Sequence, residues 1–336
     1  MAEGRRSFVF WYAFGYFACY VPYSALAKAL SSGALPGGKL AGIAMLPVST
    51  IASSVAMITL FSILGWWKHP TRWTLAGRSL PRPGPWTLLS GLATAAIVVT
   101  TTLAYTFHGV SIPLVMLFMR GGVLLLAPVI DLLSKRHVRW FSWVALVLSF
   151  LALLDAVFGK EGDLPVPLVL NIGLYLLGYF VRLRFMSRLA KSNDKEQERR
   201  YFVEEQMIAA PAAVVILVVL SAIGKGPLAD LRHGLVDLWT SPSLPYLLVM
   251  GVLSQGTGFF GGLVLLDASE NTFCVPLNRA SSILAGLLAA TALALWRGQA
   301  LPTTPELIGA GLLVSGIVVL WFGLSLPRRR RSAPAS

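Results

Sequence analysis

Apolar residues run along this chain in stretches of about twenty, broken by short polar or basic segments. They do not alternate at the period of a half-buried strand or of a surface helix. Ten such windows fall near 8–30, 41–65, 86–107, 111–133, 139–158, 165–187, 201–223, 244–266, 272–296 and 304–326. Each is close to the roughly 20 residues that a helix needs to cross a bilayer. The first window is too long for the apolar region of a signal peptide and lacks a convincing small-residue cleavage site, so it is expected to be a retained span. The connecting loops leave almost no chain for a soluble domain. The pattern therefore predicts an all-α membrane protein with ten transmembrane helices.

Composition agrees. Of the 336 residues, 56% are hydrophobic and 13% charged, about half the charged share of a soluble protein. The mean hydropathy is +0.71. Cys19 and Cys274 both fall inside apolar windows, which argues against a disulfide framework or a metal site. The four histidines are scattered without ligand spacing, and no phosphate loop, zinc-protease motif or nucleophile elbow occurs. No cofactor is expected, and an enzyme is disfavoured.

The net charge of +13 changes the picture only through its distribution. With ten spans both termini share one side, and that side collects eighteen Lys and Arg. They lie at Arg5–Arg6, in the 68–82, 135–139 and 188–200 loops, and in the Arg328–Arg331 tail. The other side has five: Lys39, Lys160, Lys225, Arg232 and Arg297. Such asymmetry predicts cytoplasmic termini, in the inner membrane if the source is bacterial. The basic tail then reads as an anchor near anionic lipid instead of a nucleic-acid arm.

Five cations remain inside the windows. Lys28, Arg182 and Arg184 stand near span ends, where their charged heads can snorkel to the interface. Arg120, within "VMLFMRGGVLLLAPV", is about 13 Å deep, and Arg279 about 10 Å, at 1.5 Å per residue. Charges at such depth are expected to face a polar cavity or a buried partner. The competing reading is a structural ion pair with Asp131, Asp155 or Asp267. Arg120 and Arg279 are 159 residues apart, Gly15 and Gly173 158, and Gly91 and Gly251 160. A near-constant offset of half the chain predicts two repeats, 1–160 and 161–336. Five spans in each make them inverted, an arrangement typical of transporters.

"TFCVPLNRASSILAGLLAA", from Thr272, resembles the ninth helix of nucleotide-sugar transporters in the drug/metabolite transporter superfamily. Leu277, Asn278 and Arg279 stand at that family's Leu-Asn-Lys positions, and Ala285-Gly286-Leu287 continues the match. "YFVRLRFMSRLAKSNDKEQERRYFVEEQMIAAP" is similar to the family's sixth helix, basic loop and seventh helix. Its Phe-Tyr-Asn-Asn motif falls on Val203 to Gln206, so the two asparagines that read the nucleoside become Glu205 and Gln206 here. The two adjacent acids Glu204 and Glu205 can instead be read as an exposed helix N-terminus. "LAYTFHGVSIPLVMLFMRGG" looks like the junction of the third and fourth helices, and "MRGG" resembles the EamA-like solute-carrier branch.

The resemblance implies ten helices in two inverted repeats and a substrate held by Asn278, Arg279, Glu205 and Gln206. Arg120 and Lys28 complete the candidate set. The expected function is alternating-access transport of a small anionic or phosphorylated metabolite, nucleotide-sugars among them. The alternatives are an exporter of amino acids or other neutral metabolites and, third, a membrane scaffold or integral-membrane enzyme. Expected partners are the small-molecule substrate and membrane lipid, not nucleic acid, and the reading leaves room for a homodimer. Gly258 and Gly262 are expected to let helices approach. Leu228, Leu231, Leu235 and Leu238 predict a short amphipathic helix in the 224–243 loop.

Overall fold

A computed structural model of the chain describes residues 2–75, 78–104, 112–155, 165–192, 194–297 and 304–325. The Arg328–Arg331 tail, Lys160, the junction around His108 and the Asp155 side chain lie outside them. Apart from the short α8, helices coincide with the apolar windows: α1 (Ala2–Ser32), α2 (Leu46–Ile63), α3 (Pro85–Ala104), α4 (Ile112–Leu133), α5 (Trp140–Asp155), α6 (Val166–Leu189), α7 (Lys195–Ile223), α8 (Ala229–Val236), α9 (Leu244–Leu266), α10 (Asn271–Arg297) and α11 (Thr304–Ser325). Six of them (α2, α6, α7, α9, α10 and α11) are long and apolar enough to cross a membrane, and α3 and α5 contain shorter apolar helices. The chain has the build of a multi-pass helical membrane protein.

The helices pack in a definite pattern. α1 lies along α9 and α10, while α6 lies along α3 and α4. α2 packs on α9 and α7, α3 on α7, α5 on α11 and α10, and α4 on α10. Glycines set the closest approaches. A Cβ at Gly91 of α3 would come 2.6 Å from Ile208 and 2.9 Å from the Glu205 carbonyl of α7. One at Gly251 of α9 would come 2.5 Å from both Ala52 and the Ser49 carbonyl of α2. Gly262 similarly receives Phe202, whereas Gly258 has no atom near it, so only one of the two expected contacts forms.

Two features differ from the sequence-based expectations. Arg72–Leu75 and Arg78–Pro81 pair as β1 and β2, an antiparallel hairpin in the first basic loop. Glu204 and Glu205 do not form an exposed helix start. Helix α7 begins at Lys195, where Asp194 caps it by accepting from the Glu196 N–H at 2.9 Å. The two acids therefore lie in its interior, 3% and 0% exposed. The amphipathic segment forms as expected in α8 and its flanks, with Leu231 and Leu238 buried beneath it.

Candidate functional site

Helix α10 carries Arg279 eight residues past its start, and α4 carries Arg120 eight residues past its own. These two helices touch. Arg279 is only 8% exposed, with its guanidinium carbon 4.9 Å from the centre of the Tyr179 ring. Its Nε is buried and has no hydrogen-bond partner among the described residues, nor does any carboxylate there lie within ion-pair distance. A desolvated cation over an aromatic face gains ~2 kcal/mol or more. That offsets part of the burial penalty and leaves a donor in reserve. Arg120 is half-buried and donates from Nη2 to the Tyr20 hydroxyl at 3.2 Å.

The tyrosines come in pairs one helical turn apart, the spacing that puts two side chains on one face. On α1 the rings of Tyr16 and Tyr20 are 5.5 Å apart and tilted by 55°. On α6 those of Tyr175 and Tyr179 are 4.9 Å apart and tilted by 57°. Tyr16 and Tyr175 each lie in the electrostatic field of both arginines. The result is a cationic centre walled by phenols, able to offer charge-assisted and neutral donors to an oxyanion.

Not all of the predicted residues meet there. Asn278 does: it is 4% exposed and donates to the Gly261 carbonyl at 3.4 Å, beside Tyr16. Glu205 is engaged elsewhere. It accepts from Arg182 Nε and Nη2 at 3.0 and 3.1 Å, from Ser90 Oγ at 2.9 Å and from Thr94 Oγ1 at 3.1 Å. Arg182 thus pairs inside the bundle instead of snorkelling, one turn from Tyr179. Gln206 is buried on the same turn of α7 as Glu205. Lys28 is exposed, two turns beyond Tyr20, and does not reach the centre. Arg184 donates to Ser134 Oγ at 2.8 Å. Glu204 braces the hairpin loop by accepting from Thr71 N, Thr71 Oγ1 and Gly84 N at 2.9, 2.8 and 3.2 Å.

Asp131 and Asp267, two of the acids considered as partners for the central arginines, have other duties. Asp131 of α4 is fully buried and accepts from the backbone N–H groups of Asn271 and Thr272 at 2.9 and 2.7 Å, and from both side chains. It caps α10 from a neighbouring helix, satisfying N–H groups that the helix leaves open. Asp267 Oδ1 accepts from Ser269 N. Beside this cap, Glu270 accepts from Arg139 Nε at 2.8 Å and Ser142 Oγ at 2.6 Å. Burial raises the Glu270 pKa, but the Arg139 and Ser142 contacts outweigh it and hold the carboxyl below its usual range. Arg136 donates to the carbonyls of Lys191 and Ala268 at 2.6 and 3.0 Å. One end of the bundle is therefore tied by an ionic lock joining α4 and α5 to α6 and α10.

The tyrosines were missing from the sequence-based candidates, yet a signal for them exists. Tyr16 and Tyr175, and Tyr20 and Tyr179, are each separated by 159 residues, the interval between Arg120 and Arg279. No protein-family model matches the chain, and no curated protein does. Among solved structures 26 chains match. One, described only as a crystal structure of a protein, shares 17% identity and a TM-score of 0.59. The match covers 97% of this chain and 99% of the other. That likeness extends to the fold over the full length and to nothing finer.

Proposed function

We propose that the chain is a secondary transporter of the drug/metabolite transporter type, moving a small anionic or phosphorylated metabolite by alternating access. Nucleotide-sugars remain within that class. The observation that carries the reading is the pair of guanidiniums at matched positions in α4 and α10, with a buried Arg279 Nε left open and no acid paired to that residue among the described residues. A functional intramembrane charge is the default reading of such a residue. Ten crossings in two inverted repeats are part of the proposal, and the packing pattern supports them. Exchanging each helix for its counterpart in the other half turns α1–α9 into α6–α3, α1–α10 into α6–α4, and α2–α9 into α7–α3, all of which are packed pairs. The Gly91 and Gly251 approaches exchange in the same way. Cytoplasmic termini and a non-enzymatic role complete the reading.

The test is uptake into proteoliposomes over a panel of nucleotide-sugars, sugar phosphates and amino acids. Arg279→Ala is expected to insert and purify normally while affinity falls about ten- to a hundredfold, the loss of one charge-assisted bond worth ~1.5–3 kcal/mol. Parental rate and affinity in Arg279→Ala would overturn the anion site. Selective amino-acid transport would favour a carboxylate exporter instead.

A further inference from the structure

A cavity of about 700 Å³ lies between α2 and α9, with Cys19 of α1 in its lining. That volume falls in the range of small-molecule sites. Ala52, Gln255 and Phe259 are its buried members, whereas Val55, Ile63 and Val252 are more than half exposed and form its lips. The lining runs from Ile51 to Ile63 on α2 and from Leu248 to Phe260 on α9. Each stretch rises ~18 Å at 1.5 Å per residue, more than half of the roughly 30 Å hydrocarbon core. Trp239, of a residue type that favours the membrane interface, belongs to the same lining and precedes α9 in the chain. Its ring is held by donation from Nε1 to the Leu235 carbonyl at 2.9 Å.

One polar group in this apolar groove is incomplete. Gln255 is 6% exposed. Its Oε1 accepts from Ser53 Oγ of α2 at 3.1 Å, but its Nε2 is buried and has no hydrogen-bond partner among the described residues. The Thr59 hydroxyl, in the same lining, is spent on the Val55 carbonyl at 3.0 Å. Helix packing alone does not call for the amide. At the interval of 159, Ser53 corresponds to Ala212 of α7 and Gln255 to Ala96 of α3, and those helices pack together as α2 and α9 do. Alanines suffice there, and an unpaired N–H inside an apolar bundle is costly.

We propose that the groove binds a neutral, elongated, lipid-soluble molecule with a carbonyl or ether oxygen part-way along an apolar chain. Its lips are apolar and face the bilayer, so the occupant enters from lipid. Its length suits a chain better than a compact ring system. Gln255 lies seven residues beyond Leu248, ~10 Å further into the membrane. The ester groups of ordinary membrane lipids stay near the headgroups and do not reach that depth, so an oxygen farther along the chain is what completes Nε2. The proposal does not rest on the carrier reading.

The test uses the full chain in nanodiscs and two photoactivatable methyl stearates, each with a terminal diazirine and only one with a mid-chain ketone. Mass spectrometry maps the cross-links, and their concentration dependence gives apparent affinities. Labels should fall on α2 and α9, and the ketone should raise affinity about two- to tenfold, the worth of one neutral hydrogen bond. Gln255→Leu should abolish that preference and still bind the ketone-free probe. Ala56→Trp, which fills the groove, should block both. Labels spread evenly over the lipid-facing helices, or equal affinities of the two probes in the parent, would mean bulk lipid only and overturn the proposal. So would a ketone preference that survives in Gln255→Leu. Where a variant does not fold, the comparison of the two probes on the parent decides.

Discussion

Removing Arg182 tests whether Glu205 belongs to the scaffold or to the substrate. The pair joins α6 to α7, with side chains 10% and 0% exposed. In Arg182→Ala the carboxylate loses its cation and is left with neutral hydroxyls, those of Ser90 and Thr94 among them. Breaking a buried pair on one side typically costs about 3–5 kcal/mol, whereas replacing both members by apolar residues of similar volume is often neutral. At roughly 2 °C per kcal/mol for a chain longer than the calibrated soluble domains, Arg182→Ala should lower the unfolding midpoint by about 5–10 °C. Arg182→Met with Glu205→Leu should recover most of that loss. Thermal unfolding in detergent, followed by fluorescence-detected gel filtration, measures both. An unchanged midpoint in Arg182→Ala, or a double variant as unstable as the single, would refute the structural assignment. Normal stability with lost transport would return Glu205 to the substrate site.

The closest helix approaches predict that Gly91→Val and Gly251→Val each destabilise by about 1–3 kcal/mol through overpacking. Gly258→Ala, with no atom near the added methyl, should be neutral or slightly stabilising in the same thermal assay. The depressed pKa of Glu270 means that the folded state binds its proton less readily than the unfolded chain. Its contribution should thus be complete above the ordinary glutamate range and fade as pH falls through the depressed value. Midpoints measured from neutral pH into acid should show this loss in the parent and not in Glu270→Gln.

Where the helices lie was legible because an apolar stretch of bilayer length admits few alternatives. The extents were less so. α7 starts six residues before its apolar window because a charged, Asp194-capped turn needs no lipid to be stable. The hairpin escaped because four-residue runs such as "RWTL" and "RSLP" are too short for alternation to mark a strand, and the loop bearing them is braced by Glu204 from a distant helix. The pairing of Arg182 with Glu205 was hidden for a similar reason. Their separation in sequence says nothing about the rotation of α6 against α7.

The central arginines and the other buried ions illustrate two ways of keeping charge inside an apolar bundle. Arg182 is matched by a carboxylate and by hydroxyls already bonded to it, so any movement that parts α6 from α7 leaves a buried charge exposed to loss. Such pairs hold helices in register. Arg279 is matched by the ring and hydroxyl of a tyrosine, with no carboxylate paired to it among the described residues, and keeps a buried nitrogen open. A ring face attracts a cation without fixing the direction of its hydrogen bonds, so the side chain can turn toward an arriving oxyanion at little cost. A site meant to release its ligand is better built from the second kind of contact than from the first. Depth alone, the property that first singled out Arg120 and Arg279, does not separate the two kinds. The partner does, and Tyr16, Tyr20, Tyr175 and Tyr179 are the residues through which that difference becomes visible.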